Sequence, residues 1–352
     1  MQDISQVDKN FQIETEIVRE NLRFYDAEAA PFRVYGLLRE DDRFCRMPKA
    51  VAKSINDGVH KLYANTAGGR VRFVTNSPYV AISAEMDGIG KMPHFALTGS
   101  AGFDLYADEG DGQRYMGTFV PPFDIHNGYE SVIDFSDRTE RLITIHFPLY
   151  SNVKKLYIGL EDGAVLEAAP DYTYQKPMVY YGSSITQGGC ASRPGNAYQA
   201  ILSRLLDWDF VNLGFSGSAK GEEAMADYIS SLDMGLFVMD YDHNAPTVEH
   251  LKATHERMFQ KVRARHPQLP IVIMTRPKAH LTEEENQRMR VAEQTCRNAV
   301  QAGDKQVYFV KGSDLIDPHM METATVDGCH PNDSGFVSMA YALYDVLKHI
   351  LL

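Results

Sequence analysis

The sequence predicts an α/β protein in two parts: an all-β sandwich over residues 1–172, then a doubly wound parallel sheet over residues 173–352. Three observations lead there. Before about residue 170, apolar residues come in short β-branched and aromatic runs divided by Gly, Pro, Asn and Asp clusters, a strand-and-turn rhythm. After Pro177, short apolar runs alternate with stretches of helical period, which calls for parallel strands covered by helices on both faces. Finally, 352 residues are long for one hydrophobic core and fit two.

In the first part, the plainest strands are Val71-Arg72-Phe73-Val74-Thr75, Tyr79-Val80-Ala81-Ile82-Ser83 and Leu142-Ile143-Thr144-Ile145-His146-Phe147. Residues 48–64 carry a helical period instead, and the period alone does not decide their structure. In the second part, 178–181 read as a strand, after which Tyr198, Ile201, Leu202, Leu205 and Leu206 recur at helical spacing. Strands follow at 210–213, 236–239, 271–274 and 307–310. Helices are expected near 222–232, 248–265, 283–302 and 335–351. Ligands of such sheets sit beyond the carboxyl ends of the strands. Ser184, Gly217 and Asn244 fall there, after the first, second and third strands.

Composition narrows the function. Apolar residues make up 44% and charged ones 23%, the balance of an ordinary globular protein. A net charge of −12 without a basic block argues against nucleic acid or anionic lipid as partner. The first eight residues lack a charged segment leading into an apolar one, and no run approaches the length of a membrane span. Cys45, Cys190, Cys296 and Cys329 show no C-x-x-C spacing, which suits a reducing cytoplasm better than a disulfide framework or zinc site. A cytoplasmic protein is therefore expected. Neither a phosphate-binding loop nor a dinucleotide fingerprint is present, and no cofactor is expected. The G-x-S-x-G elbow is missed as well: Gly214-Phe215-Ser216-Gly217-Ser218 ends in serine.

Two segments carry chemistry. Asp327-Gly328-Cys329-His330-Pro331-Asn332 sets a carboxylate and an imidazole three residues apart, just before the last helix. Far upstream, Tyr181-Gly182-Ser183-Ser184-Ile185-Thr186-Gln187-Gly188 puts hydroxyls where an apolar strand ends. A serine needs a base to become nucleophilic at neutral pH, and the base needs an orienting group. Each residue alone has a blander reading. Ser184 could cap a helix, Gly217 could punctuate a turn, His330 could sit on the surface, and Asn244 could make an Asx-turn before Pro246.

Taken in order, the segments resemble the blocks of an SGNH (GDSL-type) hydrolase. In Gly182-Ser183-Ser184-Ile185-Thr186, Ser184 matches the nucleophile, and Ser183 stands where aspartate is common. Asn212-Leu213-Gly214-Phe215-Ser216-Gly217 resembles the second block. Asp242-His243-Asn244-Ala245 keeps the asparagine of the third, G-x-N-D, but neither its glycine nor its aspartate. Asp327 to His330 matches the last block, D-x-x-H. Separately, Gly102-Phe103-Asp104-Leu105-Tyr106 has the form of the G-x-D-L-Y signature of a β-sandwich that precedes some SGNH hydrolases. The resemblance implies a flavodoxin-like catalytic domain behind a jelly-roll-like one. It also implies Ser184 as nucleophile, His330 as base and Asp327 as its orienting acid, with an oxyanion held by the backbone N–H groups of Ser184 and Gly217 and the Asn244 amide.

Arg276, after the 271–274 strand, could reach substrate oxygens or pair within its own domain. Asp240, Asp242 and His243 concentrate oxygen and nitrogen donors, but no further ligand set accompanies them and no metal is expected. Cys190 and Cys329 adjoin the candidate site and read as inert fillers. The expected activity is hydrolysis of a small acyl ester, such as an acetylated sugar, by a serine esterase. An acyltransferase using the same three residues, or a carbohydrate-binding protein without catalysis, remains the alternative.

Overall fold

The computed structural model describes residues 17–351, residue 279 excepted. The N-terminal stretch read above for a leader lies outside the described residues.

The first part is an antiparallel sandwich. One sheet runs, in spatial order, Leu22–Asp26, Asn152–Glu161, Tyr79–Asp87, Gly128–Asp134. The other runs Leu166–Glu167, Arg70–Thr75, Arg141–His146, Phe103–Asp108, Arg114–Phe119, with Arg33–Tyr35 also pairing on Arg70–Thr75. Alternation along the strands aims Val71, Phe73, Phe103, Leu105, Ile143 and Ile145 inward against Val80, Ile82, Leu156 and Ile158 of the facing sheet.

Residues 48–64 are helical: Lys49–Ile55 and Asp57–Leu62, the second capped by Asn56, whose side chain accepts the Val59 N–H at 2.8 Å. Their apolar face does not serve the sandwich. Ala52, Val59 and Tyr63 join Val179, Leu213 and Phe237 in the core on one side of the C-terminal sheet. A helix pair inside a strand-rich half thus completes the other domain.

The C-terminal sheet is parallel, its strands Tyr174–Gly182, Trp208–Gly214, Leu236–Asp240, Ile271–Met274 and Val307–Val310 lying in the order second, first, third, fourth, fifth. Helices Glu223–Ser231, Val248–Arg265 and Glu283–Gln301 cover one face, and Tyr198–Leu206 and Asp333–Leu351 the other. In register, Gly182 lies opposite both Gly214 and Asp240. The first three strands therefore end together at the point where strand order reverses, the usual location of a ligand site. The last sandwich strand ends at Glu167 and the first parallel strand begins at Tyr174.

Buried arginines and one carboxylate join the halves. The Arg46 guanidinium donates to the carbonyls of Asn212 (3.3 Å), Gly214 and Leu62 (2.8 Å) and lies 4.5 Å over the Phe215 ring. Burial brings its pKa down to about 9. Arg70 donates to the Phe210 carbonyl at 3.1 Å and pairs with Asp209. The G-x-D-L-Y segment is the third joint. Fully buried Asp104 accepts the Gly195 N–H at 2.9 and 3.1 Å, Arg193 pairs with it at 3.3 Å, and Arg204 stacks 4.0 Å over the Tyr106 ring. A Cβ on Gly195 would stand 2.4 Å from Tyr106 Cε2, so glycine is needed for this approach. Burial pushes the Asp104 carboxyl up to about 7, against the pull of the two arginines. Among the described residues, no helix is long and apolar enough to cross a membrane.

Candidate active site

The first parallel strand ends in a turn that only glycine permits: a Cβ on Gly182 would meet Thr186 Oγ1 at 2.1 Å and the Asp240 carbonyl at 2.2 Å. Ser183 caps the short helix Ser184–Gln187, its hydroxyl accepting the Ile185 N–H at 3.1 Å, and Gly188 closes the helix at φ +105°. The sandwich braces this turn. Tyr150 donates its phenol to the Ser184 carbonyl at 3.1 Å, while the Gln187 amide reaches Asn65 Oδ1 (3.1 Å) and the Leu149 carbonyl (3.2 Å). Gln187 Oε1 also accepts the Ser216 N–H at 3.1 Å, tying in the loop after the second strand.

The second segment arrives from the other end of the domain. Ser184 Oγ lies 2.9 Å from His330 Nε2, and His330 Nδ1 lies 2.7 Å from Asp327 Oδ2, although residues 184 and 330 are 146 positions apart. The other Asp327 oxygen accepts the backbone N–H groups of Cys329 (3.0 Å) and His330 (2.7 Å). Burial alone would raise the Asp327 pKa, but the His330 backbone N–H and imidazole and the Cys329 N–H outweigh it and hold it at about 2. An ionised acceptor there assigns the proton to Nδ1 and leaves Nε2 to accept the serine hydroxyl. Gly328, at φ +76°, makes the turn between acid and base. The two loops are joined directly, the Cys190 N–H donating to the Pro331 carbonyl at 3.0 Å.

The other expected site residues have varied surroundings. Gly217 is exposed at φ +63°, and nothing lies within 4 Å of a Cβ built on it, so the left-handed backbone, not a close approach, requires glycine. Asn244 is half-buried and donates one amide hydrogen to the Phe215 carbonyl at 3.1 Å. Arg276 pairs with Glu285 at 2.5 Å, as Lys278 does at 2.9 Å, so its charge is committed within the domain. Burial pushes the Cys190 thiol up to about 12, away from the thiolate a nucleophile requires. A cleft of about 510 Å³ opens beside Thr325–Gly328, flanked by Lys278 and His280.

Two features were not legible in the chain. His94, on a sandwich loop, brings its ring to 5.7 Å from that of His330, tilted by 47°. Its neighbour Phe95 packs edge-on against Tyr150, which anchors the loop. No sequence signal links residue 94 to residue 330. The second feature is a further Ser–His–Asp chain: His243 Nε2 lies 2.7 Å from Ser183 Oγ and Nδ1 lies 2.9 Å from Asp242 Oδ1. The adjacency of His243 to Asn244 in the third block was the available hint. Asp242 lies beyond the end of the third strand rather than sharing a strand face with Asp240. Donor atoms of Asp240, Asp242 and His243 lie within 4.8 Å of one another, as do those of His94, Cys190 and His330. Both His243 nitrogens already have protein partners, and His330 is shared with Ser184 and Asp327.

Residues 175–348 match the GDSL-like Lipase/Acylhydrolase family, and residues 22–166 match the GxDLY domain described as the N-terminus of SGNH-hydrolase-type esterases. No curated protein matches the sequence. Among solved structures, a Bacteroides ovatus protein described as a GDSL-like lipase is 28% identical with a TM-score of 0.84, over 94% of this chain and 98% of its own. The salicylyl-acyltransferase SsfX3 from a tetracycline biosynthetic pathway is 21% identical at TM-score 0.78, over 95% and 99%. An acetyl xylan esterase from the rumen bacterium Butyrivibrio proteoclasticus is 13% identical at TM-score 0.59, over 94% and 99%. The last two share the fold.

Proposed function

Because residues 175–348 belong to the GDSL-like lipase/acylhydrolase family and follow its GxDLY companion domain, we propose that this esterase works through Ser184, His330 and Asp327 on small acyl groups, acetyl foremost. The observation that carries the reading is the continuous contact from Ser184 Oγ through His330 to Asp327, at 2.9 and 2.7 Å. Ser184 attacks the acyl carbonyl as His330 Nε2 takes its proton. The imidazolium so formed is stabilised by Asp327, and its proton then passes to the departing alcohol. Water, activated by the same imidazole, releases the acid from the acyl-enzyme. The tetrahedral oxyanion is met by the backbone N–H groups of Ser184 and Gly217 and the second amide hydrogen of Asn244. Each such donor contributes about 3–4 kcal/mol.

The hydroxylated acceptor side is a sugar in this reading, supported by the acetyl xylan esterase and by a family two carbohydrate esterase of Clostridium thermocellum solved with cellohexaose, both of similar fold. The likeness to SsfX3 favours a second reading, acyl transfer to an alcohol by the same residues. Ser184→Ala tests the common step: the variant folds and loses nearly all p-nitrophenyl acetate turnover. Substantial remaining turnover refutes the nucleophile. Mass spectrometry on acetylated xylo-oligosaccharides, with rising alcohol present, then separates loss of acetyl to water from its transfer.

A further inference from the structure

We propose that His243 is a positioning residue: anchored by Asp242 and bonded to Ser183, it sets the spacing between the nucleophile turn and the loop carrying Asn244. This rests on the esterase reading above, since Ser184 and Asn244 are its two ends.

The geometry gives the chain of bonds a direction. Ser183 Oγ accepts the Ile185 N–H at 3.1 Å, so its own hydrogen is free to point at His243 Nε2, 2.7 Å away. His243 Nδ1–H then points to Asp242 Oδ1 at 2.9 Å. The other Asp242 oxygen meets the Arg276 N–H at 3.4 Å, and the Asp242 carbonyl accepts from Arg288, which also donates to the Ala245 carbonyl at 2.7 Å. Ser183 is fully buried, and the side chains of Asp242 and His243 are nearly so, at 3% and 9% exposure. Substrate therefore reaches none of this chain, and Ser183 is not a second nucleophile.

What the chain does is mechanical. It links the end of the first strand to the loop after the third, across the strand-order reversal, with a further tie to Arg276 in the loop after the fourth. Ser184 follows Ser183 and Asn244 follows His243 directly, so the two bonded residues each adjoin a proposed oxyanion donor. Phe215 completes the frame, its N–H donating to the Gly182 carbonyl at 2.8 Å and its carbonyl accepting from Asn244. An aspartate at position 183, common in the resembled family, would present a carboxylate to His243. Here Ser183 presents a hydroxyl to Nε2 instead, while Nδ1 faces Asp242.

The test uses the full chain and p-nitrophenyl acetate. A donor displaced by about 1 Å costs on the order of 100-fold in rate. His243→Ala is expected to lower kcat about 10- to 100-fold with KM changed less than about twofold, because the loss falls on the transition state. His243→Gln, whose amide oxygen can stand near the position of Nε2 and accept the Ser183 hydroxyl, recovers most of that loss. His243→Asn, which keeps only the Asp242 side, recovers little. Hydrogen exchange read by mass spectrometry is the activity-independent measurement: in His243→Ala, protection falls together over 183–188 and 241–246. Wild-type kcat in His243→Ala, or equal rates in the Gln and Asn variants, overturns the positioning role even while Ser184→Ala is inactive. An active Ser184→Ala sinks the esterase reading instead. In that case unchanged exchange at either segment overturns the linkage, and joint loosening upholds it.

Discussion

Removing the Asp104 carboxyl separates the hydrogen-bonding role of the domain joint from its charge. In Asp104→Ala, the Gly195 N–H loses both oxygens that it meets at 2.9 and 3.1 Å, in a place water does not enter. An unmet buried donor costs about 1–3 kcal/mol, and the small void adds to that. At about 2–4 °C per kcal/mol, the melting temperature falls by roughly 5–10 °C. Asp104→Asn keeps an acceptor for Gly195 within nearly the same volume and removes the titration together with the charge that Arg193 pairs with. The sign follows from the raised pKa. The native state holds the Asp104 proton up to about pH 7, whereas the unfolded chain releases it near 3.8. Stability from that proton is complete below the unfolded pKa and is lost as pH rises through the folded one. The interval corresponds to about 4 kcal/mol. Calorimetric melts at pH 4.5 and 7.5 therefore show the Asn variant gaining on the wild type as pH rises, with the Ala variant below the Asn variant at both. An Ala variant melting within about 2 °C of wild type at pH 4.5, or an Asn variant with the wild-type pH slope, refutes the reasoning.

Asp327→Asn disturbs the His330 tautomer rather than removing the base, and is expected to cost about 10⁴-fold in kcat, less than the loss in His330→Ala; equal losses in steady-state assays count against this. The stability Asp327 contributes is present above the ordinary carboxylate pKa and disappears only as pH falls through about 2, so melts between pH 5 and 7 do not distinguish Asp327→Asn by slope. Tyr150→Phe removes the sandwich's hydrogen bond to the Ser184 carbonyl and lowers stability by about 1 kcal/mol, read from urea midpoints. Gly217→Ala forces a side chain into φ +63° and is expected to cut turnover at least tenfold without a large change in KM; wild-type kcat removes Gly217 from the oxyanion site.

The sequence by itself determined what depends on neighbours along the chain. The change of hydrophobic period marked the sandwich and the parallel sheet, and strand limits such as Ile271–Met274 and Val307–Val310 were legible because parallel strands with helices on both faces are short apolar runs. The pairing of Asp327 with His330 was legible because a carboxylate and an imidazole three residues apart can share one turn. The position of Ser184 was legible from the end of an apolar strand two residues earlier and the glycine that closes the turn after it. Tertiary structure alone decided the rest, for a physical reason: a contact between distant segments is set by strand order and register, which no local period encodes. The second-first-third order brings residues 182, 214 and 240 level, and that alignment lets His243 reach Ser183. Residues 48–64 likewise spend their apolar face on the core of the other domain. The reach of His94 and Tyr150 into the site, and the Asp104–Gly195 joint, exist only because the sandwich is seated on the sheet by buried polar groups that must find partners there.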